Sequence, residues 1–108
     1  MGNLINLLCK AIEEKKCVEL SYDEHIRIVE VHIVGRNKKG DLQMKCYQVS
    51  GGSESGNNTD WKTMDFKKIS NAKIIDQTSN APRPDYNPID PIFDENSISC
   101  SVQVEDQK

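Results

Sequence analysis

Five short segments of this chain alternate apolar and polar residues with a period of two, and turn signals divide them. Val18, Leu20 and Tyr22 alternate with Cys17, Glu19 and Ser21. Ile26, Ile28 and Val34 oppose Arg27, Val29, Val31 and Ile33 along the second segment. Leu42, Met44, Cys46 and Gln48 alternate with Gln43, Lys45 and Tyr47 in the third. Trp61, Thr63 and Asp65 alternate with Lys62, Met64 and Phe66 in the fourth, and Ala72–Asp76 forms the fifth, with Ile69 near its start. Successive side chains of a strand leave by opposite faces, so this period predicts half-buried β-strands. Asp23–Glu24–His25 and Asn37–Lys38–Lys39–Gly40–Asp41 supply the turns.

One segment breaks the pattern. Leu4, Ile5, Leu8, Ala11 and Ile12 recur at helical spacing, which predicts an amphipathic helix over residues 3–16 with Asn3 as N-cap and Lys15 and Lys16 in its last turn. Its apolar stripe has only β structure to bury itself against. A helix and five short hairpin-linked strands predict a mainly β fold: a small, strongly curved antiparallel sheet or barrel with the helix at one end, spanning residues 1–76.

Residues 77–108 form an arm of different character. Pro82, Pro84, Pro88 and Pro91 exclude a helix or a central strand there. Tyr86, Ile89, Ile92 and Phe93 offer apolar anchors for docking this extended arm on the body. Ile98, Cys100, Val102 and Val104 alternate again, which reads either as a sixth strand, paired with the sheet or with a neighbouring chain, or as a disordered terminus.

Between the third and fourth strands lies a loop too rich in Gly and Ser for a bare hairpin turn, from Tyr47 to Trp61. Its glycines free the backbone to turn N–H groups towards an anion, its serines add hydroxyl donors, and two aromatic side chains flank it. The ligand surface expected here comprises Tyr47, Gln48, Ser53, Ser55, Trp61 and Lys62, with Arg36 at its edge. Each member has a plainer reading. A lone Trp in a small β domain is commonly a core residue, a buried Tyr needs only a hydrogen-bond partner, and Gly/Ser loops are commonly solvated connections. Glu54 and Asp60 also oppose a bound phosphate.

Composition narrows the function classes. The 108 residues carry a net charge of −3, with 12 Lys/Arg against 11 Asp/Glu in residues 1–76 and 2 against 6 in the arm. A domain built mainly to neutralise a phosphate backbone is normally basic. No apolar run reaches the roughly 20 residues of a membrane span, and the N-terminus lacks the apolar core of an export signal, so a cytoplasmic protein with no membrane partner is expected. Cys9, Cys17, Cys46 and Cys100 are widely spaced, with no close ligand pair, and read as reduced, mostly buried thiols. His25 and His32 point to opposite faces of one strand region and suggest no metal site; His32, beside a β-branched run, reads as a structural histidine. No carboxylate pair, nucleophile–base pair or phosphate loop is visible, so neither catalysis nor a cofactor is expected.

The order and spacing of several elements resemble a WYL domain. They are Leu8–x–x–Ala11–Ile12–Glu13–Glu14–Lys15–Lys16, Leu20–Ser21–Tyr22, Arg27–Ile28–Val29–Glu30–Val31–His32, the turn at Gly40, Tyr47, and Trp61–Lys62–x–x–x–Phe66–x–x–Ile69. The Tyr-Gln-x-x-Gly-Gly-Ser-x-Ser-Gly loop and Ala81–Pro82–Arg83–Pro84–x–Tyr86 are similar to short, stand-alone bacterial WYL-like proteins, and the resemblance covers residues 4–88. It implies an Sm-like, SH3-type barrel of about five strands acting as the ligand-sensing or oligomerising part of a bacterial regulator, with nucleotides or single-stranded nucleic acid among the ligands. The chain departs from the family in three ways. The naming triplet reads Leu42–Gln43–Met44, Asp65 stands where a ligand-binding arginine is common (Lys68 keeps positive charge nearby), and the chain has no helix-turn-helix. The function expected is a non-enzymatic ligand-binding or regulatory module; the alternative is a structural, homo-oligomerising domain with no small ligand.

Overall fold

A computed structural model of the chain describes residues 2–51, 60–87 and 90–102. The order of elements is α1 (Gly2–Glu14), β1 (Lys16–Tyr22), β2 (His25–Asn37), β3 (Leu42–Gly51), β4 (Asp60–Asp65), a 3-10 turn (Phe66–Lys68), β5 (Ile69–Thr78) and β6 (Phe93–Ser101). All strand pairings are antiparallel, and the sheet runs β4-β3-β2-β1-β5 with β6 also on β2.

The five alternating segments are all strands, and the fold is mainly β with an N-terminal helix. The helix starts at Gly2, so Asn3 lies inside its first turn rather than capping it. Lys15 ends it in the left-handed conformation (φ 57), its N–H donating to the Ile12 carbonyl, and Lys16 already opens β1. Leu8 and Ala11 are fully buried, and Leu4, Ile5, Leu7 and Ile12 pack around the same core. Burying a side chain such as Leu8 contributes about 2 kcal/mol, which fastens the helix across the sheet.

Strand β2 organises the molecule. Its thirteen residues exceed the seven of β1, so its second half needs another neighbour. Residues 25–29 pair with β1, residues 33–37 pair with β6, and β3 runs along the other side. The terminal strand expected around Ile98 therefore exists, begins earlier at Phe93, and pairs within the same chain. It approaches β2 so closely that a Cβ on Gly35 would lie 2.8 Å from the Ser97 carbonyl oxygen, which is why a glycine stands there.

The expected barrel closure is not observed: the sheet is open, with β4 and β5 at the two ends of the strand path. The 3-10 turn carries the chain from β4 to β5 without a hydrogen-bonded ladder between them. A side chain spans part of that gap, the Tyr22 hydroxyl accepting from Asp65 N–H at 3.0 Å. Asp65, where the resemblance implies a ligand-binding arginine, caps the turn by accepting from Lys67 N–H at 3.0 Å.

The cysteines are not all reduced. Cys9 of α1 and Cys100 of β6 form a disulfide across a sequence separation of 91, while Cys17 and Cys46 are free and buried. Ninety residues of intervening chain hide this pairing from any spacing argument. It also removes the support that scattered thiols lent to a cytoplasmic location. Among the described residues no helix is long and apolar enough to cross a membrane.

Candidate functional site

The two faces of the sheet around β3 and β4 differ in chemistry. Met44, Cys46 and Met64 point into the apolar core, and Tyr47 and Trp61 point the other way. The latter two are direct register partners, and their half-buried rings meet edge to face at 5.5 Å. The sequence singled out this pair, and the fold brings it together.

Other residues complete the aromatic face. The bulge between Val31 and Ile33 leaves His32 without a Cα partner on β3 and re-aims its ring. The fully buried imidazole lies 4.7 Å from the Trp61 ring and 5.1 Å from Tyr86 of the arm. Tyr86 stacks towards Trp61 at 6.4 Å with planes 16° apart. Two cations border the rings: Lys45 Nζ lies 5.9 Å from the Trp61 centroid, and the Arg83 guanidinium 4.6 Å from that of Tyr47. Each is also ion-paired, Lys45 to Asp90 at 3.3 Å and Arg83 to Glu30 at 2.6 Å.

Glu30 ties the arm to the sheet. Only 1% exposed, its carboxylate accepts from Arg83 Nε and Nη2 (2.6 and 3.2 Å) and from Asn80 N–H at 2.8 Å. Glu30 is thus a buried partner of the arm and not a surface charge. The next arm contact is on His32. Its Nδ1 lies 2.9 Å from the Glu30 carbonyl, which can only accept, so Nδ1 carries the proton. Its Nε2 accepts from Arg83 N–H at 3.1 Å. This neutral tautomer agrees with a pKa held below the ordinary value, first by burial and then by nearby Arg83, against the opposing pull of Glu30. Tyr86 finishes the clasp by donating to the Val102 carbonyl at 3.0 Å, and Val102 N–H donates to the His32 carbonyl at 2.8 Å.

The remaining expected ligand residues are placed elsewhere. Gln48 is fully buried on the core face and accepts from Arg27 Nη1 at 3.4 Å. Lys62 pairs in register with Cys46 and shares that face. Neither can join its strand neighbour, Tyr47 or Trp61, because adjacent strand residues leave by opposite faces. Arg36 stands at the far end of β2, exposed, its Nη1 donating to the Gly40 carbonyl of the next turn at 2.7 Å. Ser53 and Ser55 lie outside the described residues.

The free thiols are chemically quiet. Burial raises Cys17 to about 11 and Cys46 to about 12. Among the described residues no group of three or more His, Cys, Asp or Glu is arranged to hold a metal. Glu30, His32, Arg83 and Tyr86 were the functional-face residues hardest to find in advance. A carboxylate and an imidazole two apart in an apolar strand signalled buried polar chemistry, but not their partners fifty residues on. The chain matches no family model, no curated protein and no solved structure.

Proposed function

We propose that this chain is a non-catalytic recognition module of the WYL type, whose Tyr47–Trp61 face takes a flat ligand such as a nucleotide or the bases of single-stranded nucleic acid. The observation that carries the reading is the cross-strand Tyr47–Trp61 pair, held at 5.5 Å with Lys45 and Arg83 at the ring faces. Aromatic side chains on a sheet stack on any base, worth about 1–3 kcal/mol per base, while neighbouring cations favour the phosphates. His32 and Tyr86 hold the Trp61 ring, so its orientation is set before a ligand arrives. An Sm-like reading of the sheet draws support from the strand order, with β5 returning to β1 after a 3-10 turn.

Trp61 is the chain's only tryptophan, so its emission reports directly on this face. Titration with short single-stranded DNA, RNA and nucleotides is expected to quench it saturably, and Tyr47→Ala to weaken the response about tenfold, in line with loss of one stacking partner. Unchanged emission together with no measurable binding at low salt for every ligand rejects the reading.

A second reading has its own observation. The strand path leaves outer edges on β4 and β5, and such edges accept a strand from a second copy. This supports a homo-oligomerising domain that needs no small ligand.

A further inference from the structure

On the core face, opposite the aromatic pair, the apolar interior ends in a polar group of unusual composition. Arg27 is only 4% exposed, yet among the described residues its Nε has no hydrogen-bond partner. Its side-chain hydrogen bond, from Nη1 to Gln48 Oε1, is long at 3.4 Å, and its guanidinium lies 5.1 Å from the centroid of the Tyr22 ring. Lys62 shares this face through its register pairing with Cys46, and both cations act electrostatically on that buried thiol. Among the described residues neither Arg27 nor Lys62 has a carboxylate within ion-pair distance. Asp60 is in register with Gln48, but it is exposed and its Oδ1 accepts from Trp61 N–H at 2.7 Å.

A buried guanidinium is tolerated when an opposite charge and hydrogen-bond acceptors meet it. Elsewhere in this fold that rule is kept, since Glu30 has Arg83 and Asn80. Among the described residues Arg27 breaks it: five N–H donors face one distant neutral acceptor and an aromatic ring. A partner matching this deficit carries negative charge, offers several acceptors and is small enough to reach a residue at the end of the core. A tetrahedral oxyanion has those properties, and the planar fork of arginine pairs with it through two parallel hydrogen bonds. Lys62, half-buried on the same face, adds a point charge, and Gln48 Oε1 holds one end of the guanidinium.

We propose that Arg27 and Lys62, with Gln48 positioning the Arg27 guanidinium, form a binding site for a phosphate group, either free or as a phosphomonoester, on the face of the sheet opposite Trp61. The site does not rest on the aromatic-face reading, because it uses other side chains on the other face. Backbone geometry protects it. Gly51, the register partner of Arg27, has φ +109, and a Cβ there would lie 2.6 Å from Arg27 Cα.

The test is the thermal midpoint of the chain against rising inorganic phosphate and, in parallel, glycerol 3-phosphate, a phosphomonoester with no aromatic ring, each compared with sodium chloride of equal ionic strength. A ligand bound only by the native state raises the midpoint with the logarithm of its concentration once the site fills. The expected result is such a rise with phosphate, glycerol 3-phosphate or both, and at least a tenfold weaker apparent affinity in Arg27→Met. A response to phosphate identifies the free ion as sufficient, and a response to glycerol 3-phosphate alone identifies the phosphomonoester. If Arg27→Met does not fold, Lys62→Met carries the test and is expected to weaken affinity several-fold. No rise beyond the chloride control, or an equal rise in wild type and the charge-removing variant, overturns the site. Because neither probe carries a ring to stack on Trp61, failure here leaves the aromatic-face reading standing, and the reverse holds.

Discussion

Arg83 reaches back 53 residues to a carboxylate that water hardly touches. Removing the guanidinium strands Glu30 in the protein with one remaining donor to its carboxylate among the described residues, the Asn80 N–H. Breaking such a pair from one side typically costs about 3–5 kcal/mol, because the surviving charge keeps its desolvation penalty. Arg83→Met is therefore expected to lower stability by about 3 kcal/mol in urea unfolding. The double variant Glu30→Gln/Arg83→Met is expected to lose less than the two single losses combined; simple additivity would show that the pair does not couple. His32 makes a second prediction, with a definite sign. Its folded pKa lies below the ordinary 6.5, so below that pH the unfolded chain binds a proton that the folded chain refuses. Its contribution is complete above 6.5 and is lost as pH falls through 6.5 towards the lower folded value. Protonation also puts a hydrogen on Nε2, where Arg83 N–H now donates. Unfolding free energy measured from neutral pH into mild acid is expected to fall, and His32→Gln to flatten that slope. Asp76, itself exposed and also held low, by its hydrogen bond from Lys16, acts only below its ordinary 3.8 and does not confuse the two windows.

At the scale of elements, most of the fold was legible in advance. Period-two alternation needs no tertiary information, so all five early strands and the helix were readable from residue order. Boundaries shifted where local signals compete: β2 extends to Asn37 and β5 starts at Ile69 because pairing partners continue there. The faces of β2 were less legible. Glu30, Val31, His32, Ile33 and Val34 are all buried, since the core covers one side of the strand and the arm and β6 cover the other. Alternation cannot mark a strand buried on both faces. The Cys9–Cys100 bridge joins the first element to the last and closes nearly the whole chain. By chain entropy a loop of this length contributes about 4 kcal/mol, and native bridges commonly contribute about 2–5. Urea unfolding with and without reductant is expected to show a loss in that range, reproduced by Cys9→Ser/Cys100→Ser. Iodoacetamide at mildly alkaline pH is expected to leave Cys17 and Cys46 unmodified in the native protein and to label both in denaturant, since burial holds their pKa values at about 11 and 12. Rapid labelling of the native thiols would contradict that burial.

At the scale of the whole molecule, the arm is a structural part of the sheet's second face. Asn80, Arg83 and Tyr86 engage Glu30, His32 and Trp61, and Phe93 is buried where β6 begins, although Ile92 remains exposed. The outer edges of β4 and β5 are the surfaces on which the assembly reading depends. Sedimentation velocity over a wide concentration range is expected to show a dimer or larger species if those edges are used; a monomer throughout rejects assembly in isolation. The sequence by itself determined the strand and helix content, the turns, the charge division and the prominence of Tyr47 and Trp61, because each depends on residues near one another in the chain. Only the tertiary structure decided that Tyr47 meets Trp61 in register, that Arg36 stands apart, that Arg83 neutralises Glu30, that Cys9 meets Cys100, and that Arg27 lies buried with no counter-charge among the described residues. Those facts depend on which strand pairs with which and on which face the arm crosses. The free energy that selects among such pairings comes from burial and charge pairing between residues 50 to 90 positions apart, and local residue order does not encode it.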